Sequence, residues 1–217
     1  MSAVDSAPAG AARIRKPLVD PQGRTLNYLR VAVTDRCNLR CRYCMPAEGV
    51  KQVPHADILT LEETLRLCSL FSEMGVRKIR ITGGEPLVRK GVVPLMAALG
   101  KLPARPEVLL TTNGLVLEEH LDKLKAGGLR RVNLSLDSLD EKTWNEITRR
   151  KGFAQVRAAV DRVLEMGLGL KINVVVLPGL NDHEIPDFVE LTRRAPIAVR
   201  FIEPMPFDGA GMALEDT

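Results

Sequence analysis

Val33-Thr34-Asp35-Arg36-Cys37-Asn38-Leu39-Arg40-Cys41-Arg42-Tyr43-Cys44-Met45-Pro46 gathers three of the chain's four cysteines into a C-x3-C-x2-C triplet. A disulfide framework needs an even number of thiols, and a structural zinc site needs four ligands, usually supplied as two pairs; no second pair is present. Thiolates also hold iron–sulfur clusters, and a four-iron cluster on three thiolates keeps one iron open for another ligand. The competing reading is three unrelated cysteines on one loop, which is uncommon in a chain this poor in cysteine.

Outward from that loop, strand and helix patterns alternate. Strands are expected over 26–34, 78–82, 107–111, 131–136, 170–177 and 198–202. Between them fall a helix capped by Thr60, with Glu63 in the capping-box position, and ended by Gly75, then helices over 92–100, 117–126, 140–149, 153–166 and 182–194. Six strand–helix units imply parallel pairing with right-handed crossovers. A closed eight-unit barrel typically takes ~250 residues, so an α/β fold of the partial (βα)6 barrel kind fits better. A doubly wound sheet produces a similar string. The polar motifs favour the barrel, since the cysteine loop, Gly83-Gly84-Glu85-Pro86, Thr111-Thr112-Asn113-Gly114, Ser135-Leu136-Asp137-Ser138 and Glu203-Pro204-Met205-Pro206 all follow strands, where barrel enzymes place their chemistry.

The bulk numbers are those of one ordinary domain: 217 residues, 45% hydrophobic, 27% charged. A net charge of +4 suits an anionic small molecule and, without a polybasic run carrying aromatics, makes no case for nucleic acid. Residues 1–20 read as a flexible tail, 21–207 as the barrel and 208–217 as an unpaired remnant. No run of ~18 apolar residues supports a membrane span, and thiols needed in reduced form point to the cytoplasm. Cys68, alone in an apolar helical pattern, reads as a small core residue.

Several residues sit where chemistry would need them. Paired glycines after a strand let a ligand approach the backbone of Thr82-Gly83-Gly84-Glu85-Pro86, with Glu85 and nearby carbonyls able to accept from an ammonium group; an ordinary turn has the same composition. Arg30, Arg80 and Lys171 are cations inside apolar strand patterns, which is costly unless each meets an anion such as a triphosphate, points outward, or pairs with a carboxylate. Ser135 and Asp137 share one face and are placed to reach ribose hydroxyls or a methionine carboxylate, although both are also common turn formers. His55, His120 and His183 read as surface residues.

The cysteine triplet, with Tyr43 directly before its last member, resembles the signature of the radical SAM superfamily, in which the open iron binds S-adenosylmethionine (SAM) and one electron cleaves it to a 5′-deoxyadenosyl radical. A narrower resemblance covers about residues 17–207. The run from Leu29 to Pro46, Ile79-Arg80-Ile81-Thr82-Gly83-Gly84-Glu85-Pro86-Leu87, Thr111-Thr112-Asn113-Gly114, Asn133-Leu134-Ser135-Leu136-Asp137-Ser138-Leu139, Lys171-Ile172-Asn173 and Arg200-Phe201-Ile202-Glu203-Pro204-Met205-Pro206-Phe207 resemble, in order and interval, the GTP 3′,8-cyclase family of molybdenum cofactor biosynthesis.

That resemblance implies a lyase that cyclises GTP to the precursor of cyclic pyranopterin monophosphate. It implies Cys37, Cys41 and Cys44 as ligands of one [4Fe-4S] cluster, Tyr43, Gly84, Ser135 and Met205 as SAM contacts, and Arg30, Arg80, Thr111 and Lys171 as GTP contacts. It also implies an electron donor and a downstream cyclic pyranopterin monophosphate synthase, and is compatible with a homodimer. The family carries a last helix and a C-terminal extension with a second three-cysteine motif and a terminal Gly-Gly, whereas no cysteine follows Cys68 here; the chain therefore reads as C-terminally shortened. A radical SAM enzyme acting on another substrate, and a non-catalytic cluster- and SAM-binding protein, are the alternatives.

Overall fold

Short apolar β segments separated by amphipathic helices can bury both only by stacking helices on a sheet. The computed structural model, which describes residues 16–205, shows six parallel strands: β1 Tyr28–Ala32, β2 Lys78–Thr82, β3 Glu107–Thr112, β4 Arg131–Ser135, β5 Gly169–Val175 and β6 Ile197–Ile202. The helices are α1 Leu61–Glu73, α2 Val92–Gly100, α3 Leu121–Ala126, α4 Glu141–Thr148, α5 Phe153–Glu165 and α6 Ile185–Arg194. Strand order in the sheet is the chain order, β1 to β6. A doubly wound sheet reverses its order part-way; an unreversed series of right-handed crossovers puts every helix on one face and curls the sheet around the other. The barrel expectation is met for that reason.

The core lies on the helix side. Ile79, Ile81, Leu110, Val132, Leu134 and Ile172 are fully buried there with Leu99, Leu121, Val163 and Phe188 from the helices. Cys68 belongs to this cluster, 1% exposed, as expected of a small core residue, and burial pushes its thiol up to about 11. The Thr60–Glu63 capping box forms at the start of α1. Two expected helices open instead as 3-10 turns, Glu118–His120 before α3 and Asp182–Glu184 before α6. Their N-caps make no side-chain hydrogen bond, and the first turn tightens to satisfy its own donors.

Residues 1–15 of the expected tail, the expected remnant 208–217 and residues 206–207 of the last motif lie outside the described residues. Residues 17–20, also assigned to the tail, are docked. Leu18 donates its N–H to Met74 at 3.3 Å, Val19 and Thr25 form an antiparallel bridge, and the Asp20 carboxylate accepts from the N–H groups of Gln22 and Arg24.

Candidate functional site

The cysteine loop leaves β1 and is pinned on two sides. Towards β2, Val33 donates its N–H to Thr82, Gly84 to Thr34 at 2.7 Å and Glu85 to Arg36 at 2.8 Å. A Cβ on Gly84 would stand 2.4 Å from the Arg36 carbonyl oxygen, so only glycine permits this approach. Towards α4, Arg40 and Arg42 donate their N–H groups to Thr148 and Ile147, and the Arg149 guanidinium donates to the Met45 carbonyl at 3.0 Å. Arg149 itself sits in the left-handed region, φ 53°, as the C-cap of α4.

Within the loop, Cys37 and Cys41 are half-buried and Cys44 is exposed, and all three are free thiols. The Cys37 sulfur accepts from the Leu39 N–H at 3.4 Å. Burial pushes all three thiols up, with Asp137 and the neighbouring thiols adding to it at Cys41 and Cys44. A bound metal ion would replace the protons that burial keeps on these thiols.

Three buried carboxylates frame this loop. Glu85, fully buried, accepts from Leu87 N–H at 3.0 Å, the Thr112 hydroxyl at 2.8 Å and Asn113 N–H at 2.7 Å. Burial raises its pKa, and those three donors oppose the shift. Asp137, 3% exposed, accepts from the Tyr43 hydroxyl and from Val175 N–H, each at 2.8 Å; burial pushes its pKa up to about 6. Glu184 accepts from the Ser138 hydroxyl and Leu139 N–H, each at 2.6 Å. The expectation that Glu85 would receive a ligand's ammonium group, and that Asp137 would reach a ribose or methionine group, is therefore corrected. Both carboxylates are spent on this chain's own donors.

Along the strands, residues alternating with the buried helix-side set face the inside of the curl. Register puts Arg30 beside Arg80, Thr111 beside Asn133, Asn133 beside Lys171, Ser135 beside Asn173, and Asn173 beside Arg200. Arg80 donates to the Tyr28 hydroxyl, and at 3.2 Å to both the Leu110 carbonyl and the Thr111 hydroxyl. Among the described residues none of Arg30, Arg80, Lys171 or Arg200 makes an ion pair with a carboxylate. Partial burial, then Arg200, Arg131 and Arg80 in that order, lower the pKa of Lys171. Asn133 and Asn173 each bury a side-chain oxygen without a hydrogen-bond partner.

Residues 31–192 match the sequence pattern of the radical SAM superfamily. The chain belongs to that superfamily. A GTP 3′,8-cyclase of Desulforamulus reducens is 53% identical over 190 residues, which cover 87% of this chain and 58% of that protein. Molybdenum cofactor biosynthesis protein 1 of Drosophila melanogaster is 50% identical over 197 residues, 91% of this chain and 35% of that protein. The chain thus spans less than two thirds of these relatives. Among solved structures, Streptococcus suis SuiB bound to S-adenosylmethionine superposes with a TM-score of 0.70 at 20% identity, over 85% of this chain and 42% of that one, a likeness of fold.

Radical SAM membership implies an iron–sulfur cluster and SAM, and the donor set fits. Among the described residues no three His, Cys, Asp or Glu side chains converge on a point that would hold a single metal ion. Three free thiols within one loop are a donor set that a multi-iron unit takes up, each thiolate on its own iron. The structure brings Tyr43, Gly84 and Ser135 to the same mouth as the thiols and places Arg30, Arg80, Thr111 and Lys171 on the inner face. Met205, 63% exposed just past β6, is largely in solvent. Sequence reasoning did not single out Arg200, Asn133 or Asn173 as site residues. The signal was available for Asn133 and Asn173, which lie two positions along a strand from, and in register with, residues that it did assign, whereas Arg200 shows its place only through its register with Asn173. His183 is exposed, and no helix among the described residues is long and apolar enough to cross a membrane.

Proposed function

We propose that this chain performs the radical-generating and phosphate-holding parts of GTP 3′,8-cyclisation in molybdenum cofactor biosynthesis. The observation that carries the reading is the inner face. Arg30 and Arg80 lie side by side there, Lys171 feels the charges of Arg200, Arg131 and Arg80, and among the described residues none of Arg30, Arg80, Lys171 or Arg200 pairs with a carboxylate, the Glu107 of that face being taken by Arg131 at 3.9 Å. A face of that kind is stable in isolation only because it is wet, and it is complementary to a triphosphate.

In this reading Cys37, Cys41 and Cys44 hold one [4Fe-4S] cluster, and Tyr43, Gly84, Ser135 and Met205 surround SAM. The reduced cluster with bound SAM supplies one-electron cleavage of a sulfonium carbon–sulfur bond and hence a hydrogen-abstracting carbon radical. The protein's own contribution is position. Arg30, Arg80 and Lys171 hold the phosphates in the middle of the strands, and Thr111, pinned by Arg80, stands between them and the mouth. The nucleoside is thereby directed towards the strand ends, where the thiol loop excludes water on its Leu39 and Met45 sides. An electron donor and a second enzyme that consumes the cyclised nucleotide complete the scheme, and the reduced thiols suit the cytoplasm.

Calorimetric titration of GTP into the anaerobically reconstituted chain tests the phosphate assignment. Binding should weaken with added salt and fall about tenfold in Arg80→Ala and in Lys171→Ala. GTP affinity indifferent to salt and to both substitutions would remove the reading.

A further inference from the structure

We propose that Asp137 is a positioning residue for SAM, acting through the Tyr43 hydroxyl; the inference rests on the reading above that Tyr43 lies against SAM. Tyr43 is the residue between the second and third thiols that directly precedes Cys44. Its hydroxyl donates to one Asp137 oxygen at 2.8 Å, while the other oxygen accepts from Val175 N–H at the end of β5, also at 2.8 Å. The Asp137 main chain is fixed in turn. Its carbonyl accepts from the Asn181 amide, which also donates to the Val175 carbonyl at 2.9 Å and accepts from Leu177 N–H at 2.7 Å. Ser138, the next residue, is held by Glu184. A single side chain therefore ties the cysteine loop to the ends of β4 and β5.

The choice of a carboxylate is informative. Asp137 is 3% exposed, makes no ion pair among the described residues, and is costly to bury as an anion. Its two partners are both donors, so the linker must offer two acceptors in one plane. Carboxylate is the shortest side chain that does so, whereas an amide presents one acceptor and turns an NH2 towards the other donor. Burial excludes Asp137 from touching a ligand, so its influence passes through the tyrosine ring and the loop backbone on either side of it. Loosening that ring should blur the SAM seat while the three thiols keep their cluster.

The test is a double-mutant cycle on the reconstituted chain with Tyr43→Phe, Asp137→Asn and both together. SAM affinity is measured by equilibrium dialysis, iron by chemical analysis, and SAM contact by the change that SAM makes in the electron paramagnetic resonance spectrum of the reduced cluster. Each single substitution should weaken SAM about tenfold, the double should be no more than about threefold worse than either single, and iron per chain should stay at the wild-type value. Tyr43→Phe keeps the ring and carries the test if Asp137→Asn fails to fold. Additive losses, unchanged SAM affinity, or loss of iron along with SAM would overturn the inference while leaving the proposed function standing. Absence of SAM binding by the wild-type chain would overturn both.

Discussion

At the mouth, Glu85, Asp137 and Glu184 are buried carboxylates whose every oxygen accepts from an N–H or O–H of this chain. Below it, on the inner face of the same sheet, Arg30, Arg80, Lys171 and Arg200 form no ion pair among the described residues, and two asparagine oxygens are buried unpaired. These three carboxylates are satisfied without a ligand and the inner-face cations and asparagine oxygens are not, although in the cysteine loop one Asp35 oxygen and the Arg40 Nε are also buried unpaired. The mouth uses its acids as fasteners for loops that irregular backbone alone would not hold, whereas the face keeps its cations unspent. Under the proposed function, seating a cluster and admitting a large anion are two tasks that these two regions divide between them.

The largest effect should come from the thiols. Replacing Cys37, Cys41 or Cys44 by Ala should remove essentially all cluster iron, about four per reconstituted chain in the wild type, whereas Cys68→Ala should leave it in place. Iron and sulfide analysis decides this, and equal loss from Cys68→Ala would break the separation of core from site. Gly84→Ala is expected next in severity. Its Cβ would press on the Arg36 carbonyl, a backbone atom that cannot swing aside. Urea unfolding should show a loss of about 2–3 kcal/mol, with cluster content falling as the loop is displaced.

Substitutions on the inner face should behave differently from those at the mouth. Lys171→Ala relieves like-charge crowding with Arg200, Arg131 and Arg80, so the chain without nucleotide should be as stable as the wild type or slightly more so while GTP binding falls. Thermal unfolding with and without GTP checks both signs in one experiment.

The smallest expected effect is a pH dependence. Asp137 keeps its proton up to pH about 6 in the folded chain, against an ordinary value of 3.8. Between those values the folded state binds more protons than the unfolded one, so this group makes stability fall as pH rises. Asp137→Asn should remove that slope. Urea midpoints of the two proteins across the window measure it, and parallel curves would show that the carboxyl does not titrate there.

Much of this was legible in the chain itself. The alternation of periods two and 3.6 is local, so the six strand–helix units could be read with ends wrong by a residue or two, apart from the helices expected over 117–126 and 182–194, which open as 3-10 turns, and C-x3-C-x2-C states its own chemistry because thiols so rarely cluster for any other. Arg80 and Lys171 are legible as cations in strands, the placement from which the proposed anion site is argued. What the tertiary structure alone decided was which polar groups are already taken. Glu85 and Asp137 look in sequence like ligand acceptors, but their donors come from Thr112, Asn113, Tyr43 and Val175, from 27 to 94 positions away. Local pattern carries propensity and face; hydrogen-bond satisfaction depends on which distant donors the fold brings within 3 Å, and only the folded chain contains that information.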